Sequence, residues 1–421
     1  MNDAGFMSAL LGGANVEWKT LADIGELVRG NGLPKKDFTE TGVPAIHYGQ
    51  IYTYYGLSTT KTISFVSRET AEKLKKVETG DVVITNTSEN FEDVGKALVY
   101  LGLEQAVTGG HATIFKPSEI ILGKFFAYFT QTATFENAKR KYAKGAKVID
   151  VSATDMAKIE VPIPCPENPK KSLEIQAKIV RILDVFTSLT TELTTELTTE
   201  LSARKKQYNY YRDQLLSFEE GEVEWKALDE VSDVYDSLHQ TPKYSEDGLS
   251  MIRVTDIKGA YINLNETLKV DEEVFQVFTK KYLPRKNDLV MSRVGSYGNV
   301  GIVSSDNAVC MGQNTVVIHP HINNQFLFHF LQSNKAQGFI DRNVGGGNQK
   351  TLSLKAIKAI PVPILTEEEQ MHIARLLDKF DTLTSSISEG LPHEIELRQK
   401  QYEYYRDLLL SFPKPDAEVA A

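Results

Sequence analysis

Cysteine is nearly absent, with only Cys165 and Cys310 in 421 residues. Two thiols make no disulfide framework and lack the paired spacing of a zinc site, so both read as inert packing residues of a reducing compartment. Long apolar runs are missing as well. No stretch approaches the roughly 20 residues of a membrane span, and Phe6 to Leu11 has no basic residues before it, which is not the pattern of a secretory signal. A membrane protein is excluded on this reading, and the cytoplasm is the expected location. Positive charge is in deficit: 47 Lys and Arg stand against 56 Asp and Glu, a net charge of −9, where a freestanding DNA-binding domain is usually basic. Catalytic signatures are lacking too. There is no G-x-x-x-x-G-K-[ST] phosphate loop, and Gly295-Ser-Tyr-Gly298-Asn-Val-Gly301 has the wrong spacing for a dinucleotide fingerprint. His319-Pro-His321 has no third ligand nearby and reads as a strand-end turn. Nothing resembles a nucleophile elbow, a zincin helix or an Asn/Asp-Pro-Pro-Tyr/Phe segment, so the chain is expected to be no enzyme.

What is present is a duplication. Glu174 to Phe218 aligns without a gap on Glu368 to Phe412 at an offset of 194, with 23 identities in 45 positions. The densest part is Lys206-Gln-Tyr-Asn-Tyr-Tyr-Arg-Asp213 against Lys400-Gln-Tyr-Glu-Tyr-Tyr-Arg-Asp407, followed in both copies by Leu-Leu-Ser-Phe. The stretches between are looser repeats: Val16-Glu-Trp-Lys19 returns as Val223-Glu-Trp-Lys226, and each stretch closes on a Pro-x-Pro, at Pro162 and Pro361. The order is therefore variable, constant, variable, constant. Near-identical connectors suit a common partner, while divergent domains suit the same kind of task on different targets.

Apolar residues at Ile179, Ile182, Phe186, Leu189, Leu193, Leu197 and Leu201 are spaced as one face of a helix, and Ile373, Leu376, Phe380, Leu383, Ile387 and Leu391 repeat the pattern. The spacing predicts a helix from Ile175 to Phe218 about 66 Å long. Two single apolar stripes are most simply buried against each other, as an antiparallel coiled coil. Gly390 and Pro392 should break or kink the second helix. The variable stretches carry short β-rich runs, Asp81 to Thr85, Asp288 to Ser292 and Thr315 to Ile318, between Gly, Asn and Asp turns. The expected class is α+β: two mixed α/β domains separated by two long helices, a pseudo-two-fold internal repeat. The expected divisions are 1–165, the helical spacer 166–221, 222–365 and the second spacer 366–421.

Thr190-Thr-Glu-Leu193, Thr194-Thr-Glu-Leu197 and Thr198-Thr-Glu-Leu201 form a perfect triple tetrapeptide inside the first helix. Thr is a mediocre helix former, so propensity does not explain the choice. Each added unit lengthens the helix by about 6 Å and turns its face only about 40°. This run, the four-part order and the paired Lys-Gln-Tyr-x-Tyr-Tyr-Arg-Asp ends resemble Type I restriction–modification specificity subunits, in particular the IC subfamily. The resemblance covers essentially the whole chain and is strongest over the connectors. It implies that each variable stretch is a target recognition domain for double-stranded DNA. It also implies that the helices hold two adenine methyltransferase subunits, joined by two restriction subunits, and that the tetrapeptide count sets the unread spacer between two half-sites. No cofactor is expected in this chain; S-adenosylmethionine, ATP and Mg2+ are expected in the partner subunits.

Recognition loops need donors and acceptors for base edges, and cations or amides for phosphates. In the first domain the candidates are Lys35, Lys36, His47, Tyr48, Gln50, Thr85, Asn86, Thr87, Ser88 and His111. The basic run Lys139, Arg140, Lys141, Lys144 and Lys147 adds the best prospects for phosphate contact. In the second they are His239, Gln240, Lys243, Arg253, Ser292, Arg293, Ser296, Tyr297, Asn299, Gln313 and Asn314. The Gly-rich stretch with Arg342, Asn348 and Lys350 would let backbone approach DNA closely. On the helices Phe186, Leu189, Tyr208, Tyr211 and Arg212, with Phe380, Leu383, Tyr402, Tyr405 and Arg406, are the candidate subunit interface. The competing expectation, favoured by the acidic balance, is a two-domain adaptor whose sheet domains bind protein and read no DNA.

Overall fold

The duplication is present in the main sheets strand by strand in the computed structural model, which describes residues 11–219, 221–306, 308–347, 349–386 and 389–414. Asn348 and Ile387 lie outside the described residues. Two units result: Met1–Glu192 with Arg398–Ala421, and Leu193–Leu397.

In the first unit Val16–Thr20 pairs antiparallel with the Pro-x-Pro strand Glu160–Pro164. A two-stranded ladder tolerates those prolines because their missing N–H groups can face outward. The main sheet has the order Gly25–Arg29, Ala112–Pro117, Val82–Thr85, Ala97–Tyr100, Ser58–Thr59. Its first three pairings are antiparallel and its last is parallel. The second unit repeats this plan. Glu224–Ala227 pairs with Pro361–Ile364, and the main sheet runs Ser232–Asp236, Thr315–Pro320, Leu289–Ser292, Val300–Val303, Tyr261–Ile262, again three antiparallel pairings and one parallel. The three expected β-runs are the strands at the centre of these sheets. The units differ in a second sheet, which has five strands around Val43–Ile46 in the first and three around Leu249–Ile252 in the second.

Three helices carry the connectors: α1 (Pro169–Leu215), α2 (Glu367–Ser385) and α3 (Leu391–Leu409). Asn168 accepts a hydrogen bond from the Lys171 N–H at 3.1 Å, and Pro169 opens α1 where its missing N–H costs nothing. Thr366 and Glu369 form a capping box at the start of α2, whose first turn is Glu367-Glu-Glu369. The second connector is interrupted where Gly390 and Pro392 stand. A side chain at 390 would collide with the carbonyl oxygens of Thr382 and Leu383, so the close return after α2 requires glycine. In the tetrapeptide run the Thr198 and Thr199 hydroxyls donate to the carbonyls of Thr194 and Thr195, which lets Thr sit in a helix with its polar group satisfied.

The apolar stripes pack differently from a simple two-helix seam. Ile175, Ile179 and Leu183 of α1 enter one core with Phe115, Phe126 and Phe129 of the first sheet domain and with Leu409, Leu410 and Phe412. Ile373, Ala374 and Leu377 of α2 enter the equivalent core of the second unit, with Phe326, Phe330 and Leu216. Each fully buried Leu or Phe is worth about 1.5–3 kcal/mol, so the domains are fused to the helices rather than appended to them. Within each unit the helices do run antiparallel. Phe186 lies 5.8 Å from Tyr405 in the first, and Tyr211 stacks on Phe380 at 5.6 Å in the second.

Candidate nucleic-acid interface

Strand register makes the two domains directly comparable. Val83 pairs with Ile114 as Val290 pairs with Val317, so Thr85, Asn86 and His111 of the first domain correspond to Ser292, Arg293 and Asn314 of the second. His47 and Gln50 correspond to Arg253 and Asp256: in both places the residue-50-type side chain accepts from the backbone N–H three residues earlier. These loops lie at the same end of each main sheet.

Several candidates in the loops prove to be structural. Thr85 and Ser292 are fully buried, and their hydroxyls donate to loop carbonyls, of Asp93 in one domain and of Ser296 in the other. Ser88 is buried against Asp93. Lys139 is buried as well, its ammonium donating to the carbonyls of Val94 at 2.6 Å and Phe91 at 3.2 Å, and burial lowers its pKa. It is not available to a phosphate. Arg293 is held by Asp236 and by the Leu352 carbonyl, and Arg253 grips Asp256 with both Nε and Nη2. Arg140 pairs with Glu136, and Lys144 shares Asp155 with Lys158, whose hydrogen bond, with that of Lys144, holds the Asp155 carboxyl below the usual range. Of the basic run, Lys141 and Lys147 remain exposed without an ion pair among the described residues.

The exposed set is therefore shorter. In the first domain it comprises Lys35, Lys36, His111, Lys141 and Lys147, with His47 and Gln50 half-buried and Gln50 donating to Ser64 at 2.6 Å. Thr87 is buried with its hydroxyl 2.9 Å from His111 Nδ1. Asn86 is buried too, and neither of its amide atoms has a hydrogen-bond partner among the described residues. In the second domain His239, Gln240, Lys243, Ser296, Asn299, Arg342 and Lys350 are exposed, while Gln313, Asn314 and Tyr297 are half-buried. Asn314 takes a left-handed backbone, φ 63°, which suits Asn in a tight turn. His319 pairs with Asp288 at 2.7 Å, as Lys116 pairs with Asp81 at the equivalent position. Among the described residues no His, Cys, Asp and Glu group could hold a metal ion. Burial pushes the Cys310 thiol up to about 12, consistent with an inert packing residue.

On the helices Tyr208 and Arg212 turn inward, and Arg406 is largely covered, its guanidinium over the Tyr402 ring as that of Arg212 lies over Tyr208. Leu189, Tyr211, Leu383 and Tyr405 are exposed, joined by Tyr210 and Tyr404, which the sequence reading passed over. It also missed the polar fastening of each domain to its helices. Tyr128 donates to Asp184 at 2.7 Å and meets Thr187, which meets Tyr402. At the same position of the second domain His329 bonds Asp378 at 2.8 Å and Tyr208 at 2.9 Å. The signal was available, because Asp184 and Asp378 are identical under the 194 offset yet lie on mainly apolar stripes.

The family model described as Type I restriction modification DNA specificity domain matches residues 14–203 and again 222–397. The type I restriction enzyme EcoR124I/EcoR124II specificity subunit of Escherichia coli is 33% identical over 423 residues, covering 99% of this chain and 99% of that one. The EcoprrI specificity subunit of Escherichia coli is 36% identical over 261 residues, 59% of each chain. A solved structure described as the structural basis of complex assembly and conformational transition of the type I R-M system superposes with a TM-score of 0.64 at 13% identity. It covers 94% of this chain and 97% of that one, and supports the fold alone.

Proposed function

We propose a function from one premise: the chain belongs to the Type I restriction modification DNA specificity domain family. It is the specificity subunit of a Type I restriction–modification complex, the non-catalytic member that selects the DNA site while partner subunits carry out methylation and cleavage. The observation that carries the reading is the pairing of one repeated scaffold with two dissimilar loop sets: strand order, caps and helix contacts recur, while His47, Asn86 and His111 are replaced by Arg253, Arg293 and Asn314.

Each domain reads a few base pairs through the exposed residues of its loop end, and the two half-sites are separated by an unread spacer. Centre-to-centre separation is about 10 base pairs, one turn of the duplex, as for other two-module readers. Two methyltransferase and two restriction subunits assemble on the chain. The exposed tyrosines and leucines of the connectors, Tyr210, Tyr211, Tyr404, Tyr405, Leu189 and Leu383, are their docking points, favoured by aromatic enrichment at interface cores. The partners supply S-adenosylmethionine, ATP and Mg2+ chemistry and much of the phosphate contact that a chain of net charge −9 does not offer. The target adenines leave the base stack to be methylated. The TTEL run supports the finer IC-like assignment and a ruler role, and the reducing compartment is the cytoplasm. No helix among the described residues is long and apolar enough to cross a membrane.

The test is co-expression with an IC-type methyltransferase subunit and mapping of N6-methyladenine across host DNA. A split, asymmetric motif with a fixed unread spacer is expected. A stable complex that methylates nothing would favour the protein-binding adaptor. Deleting Thr198 to Leu201 should shorten the spacer and leave both half-sites unchanged; altered half-sites would refute the ruler.

A further inference from the structure

Most candidate readers of the second domain sit on four segments at the loop end, and one residue meets all four. Arg293 follows the strand Leu289–Ser292 and leads into the turn that carries Ser296 and Asn299. Its N–H donates to the Asn314 carbonyl at 2.8 Å, and its carbonyl accepts from the Leu352 N–H at 2.8 Å. Its side chain adds two more links: Nε donates to the Leu352 carbonyl at 3.1 Å, and Nη1 pairs with Asp236 Oδ1. The other oxygen of that carboxylate lies 3.2 Å from His239 Nε2. Leu352 belongs to the pairing of Val344–Gly345 with Thr351–Leu352, next to Lys350, whose carbonyl accepts from the Gly295 N–H at 3.2 Å. A guanidinium holds its donors in one rigid plane, so bonds made in two directions fix both partners relative to each other. The first domain has no such link. By strand register Asn86 stands at the place of Arg293, and Arg29 at that of Asp236. The Asn86 amide bonds to nothing among the described residues, and backbone pairing of Ile149–Asp150 with Thr87–Ser88 holds the loop that Arg293 holds in the other half.

We propose that Arg293 is a positioning residue for the specificity of the second half-site: it touches no base itself and sets the spacing between the segments that do. This rests on the function proposed above. The Arg293 side chain is only 11% exposed, and either bidentate face of its guanidinium would need a donor that Leu352 or Asp236 already holds. It therefore cannot read a guanine edge in the usual paired manner. Readers on separate loops discriminate only when they are held to about 0.5 Å of one another, and Arg293 supplies that restraint from behind. Without it His239, Gln240 and Lys350 shift independently of Ser296 and Asn299, so discrimination falls at several base pairs together. The first half-site, whose loops are held by backbone pairing, is untouched.

The experiment maps methylated adenines made by the full chain co-expressed with its methyltransferase subunits. The wild type is compared with Arg293→Met, which keeps the packing of the stem and removes every donor, with Asp236→Asn, and with both changes together. Arg293→Met should broaden the second half-site at two or more base pairs, the preference for the cognate base falling about tenfold at each, with the first half-site and the spacer unchanged. Asp236→Asn should broaden the same base pairs by less, and the double variant should go no further than Arg293→Met, because both residues act through one contact. Should Arg293→Met fail to assemble, the double variant, which leaves no carboxylate stranded, carries the test. An unchanged motif overturns the proposal, and so does failure of all three variants to assemble, which makes the pair a support of the fold alone. Relaxation at a single base pair that Asp236→Asn leaves intact also overturns it, since Arg293 would then be a direct reader. A wild type that assembles and methylates no split motif overturns instead the function on which the proposal rests.

Discussion

Set side by side, the two halves share residues where the domains meet their helices and differ at the loop ends. Leu183 and Leu377 occupy the same buried place, Gln176 and Gln370 each cap loop backbone with both amide atoms, and Trp18 and Trp225 each lie under a lysine ammonium. At the loop ends His47 stands for Arg253 and His111 for Asn314. One scaffold thus tolerates two loop chemistries because the loops are fastened by backbone hydrogen bonds and buried hydroxyls that do not depend on the outer side chains.

The largest expected effects lie in the shared part. Leu183→Ala and Leu377→Ala should each cost about 2–5 kcal/mol, measured by chemical denaturation, and by similar amounts. A several-fold imbalance would break the equivalence of the halves. Next come the unlike residues at one position. Arg293→Ala leaves Asp236 with His239 alone and should cost about 1–3 kcal/mol, whereas Asn86→Leu replaces an unpartnered buried amide by an apolar group of similar shape and should be neutral or stabilising. The fastening is smaller: Tyr128→Phe removes a hydrogen bond to Asp184 and should cost about 1–2 kcal/mol. Smallest is an acid-side difference. The folded-state pKa of Asp155 is depressed, so its contribution is present above the unfolded value near pH 4 and lost as pH falls through the folded value. Thermal melts from pH 5 downward should show a loss that Asp155→Asn abolishes; Ala356 stands at the equivalent position of the second domain, where no such dependence is expected.

Much of the fold was legible because duplication supplies its own control. The 194 offset located the connectors, and the helix break followed from Gly390 and Pro392. The packing of the stripes was less legible: periodicity shows that a helix face is apolar, but not that Ile179 and Leu183 meet Phe126 and Phe129 of a β domain rather than the other helix. Among the site residues, sequence placed the loops but could not separate outward from inward polar groups. Lys139, Ser292 and Arg293 look like DNA ligands in one dimension, and burial by carbonyls and Asp236 makes them supports. Nor does sequence show that the rings of two histidines 64 residues apart both meet that of Tyr48.

The central claim, that each half reads its own half-site through its own loops, is tested most directly by changing one set. In the co-expressed complex, Gln313→Ala with Asn314→Ala removes two half-buried polar side chains from the second loop end, and methylated adenines are mapped again. The account predicts a motif relaxed or lost in one half, with the other half and the spacer unchanged. A change in both halves, or in neither, would contradict it.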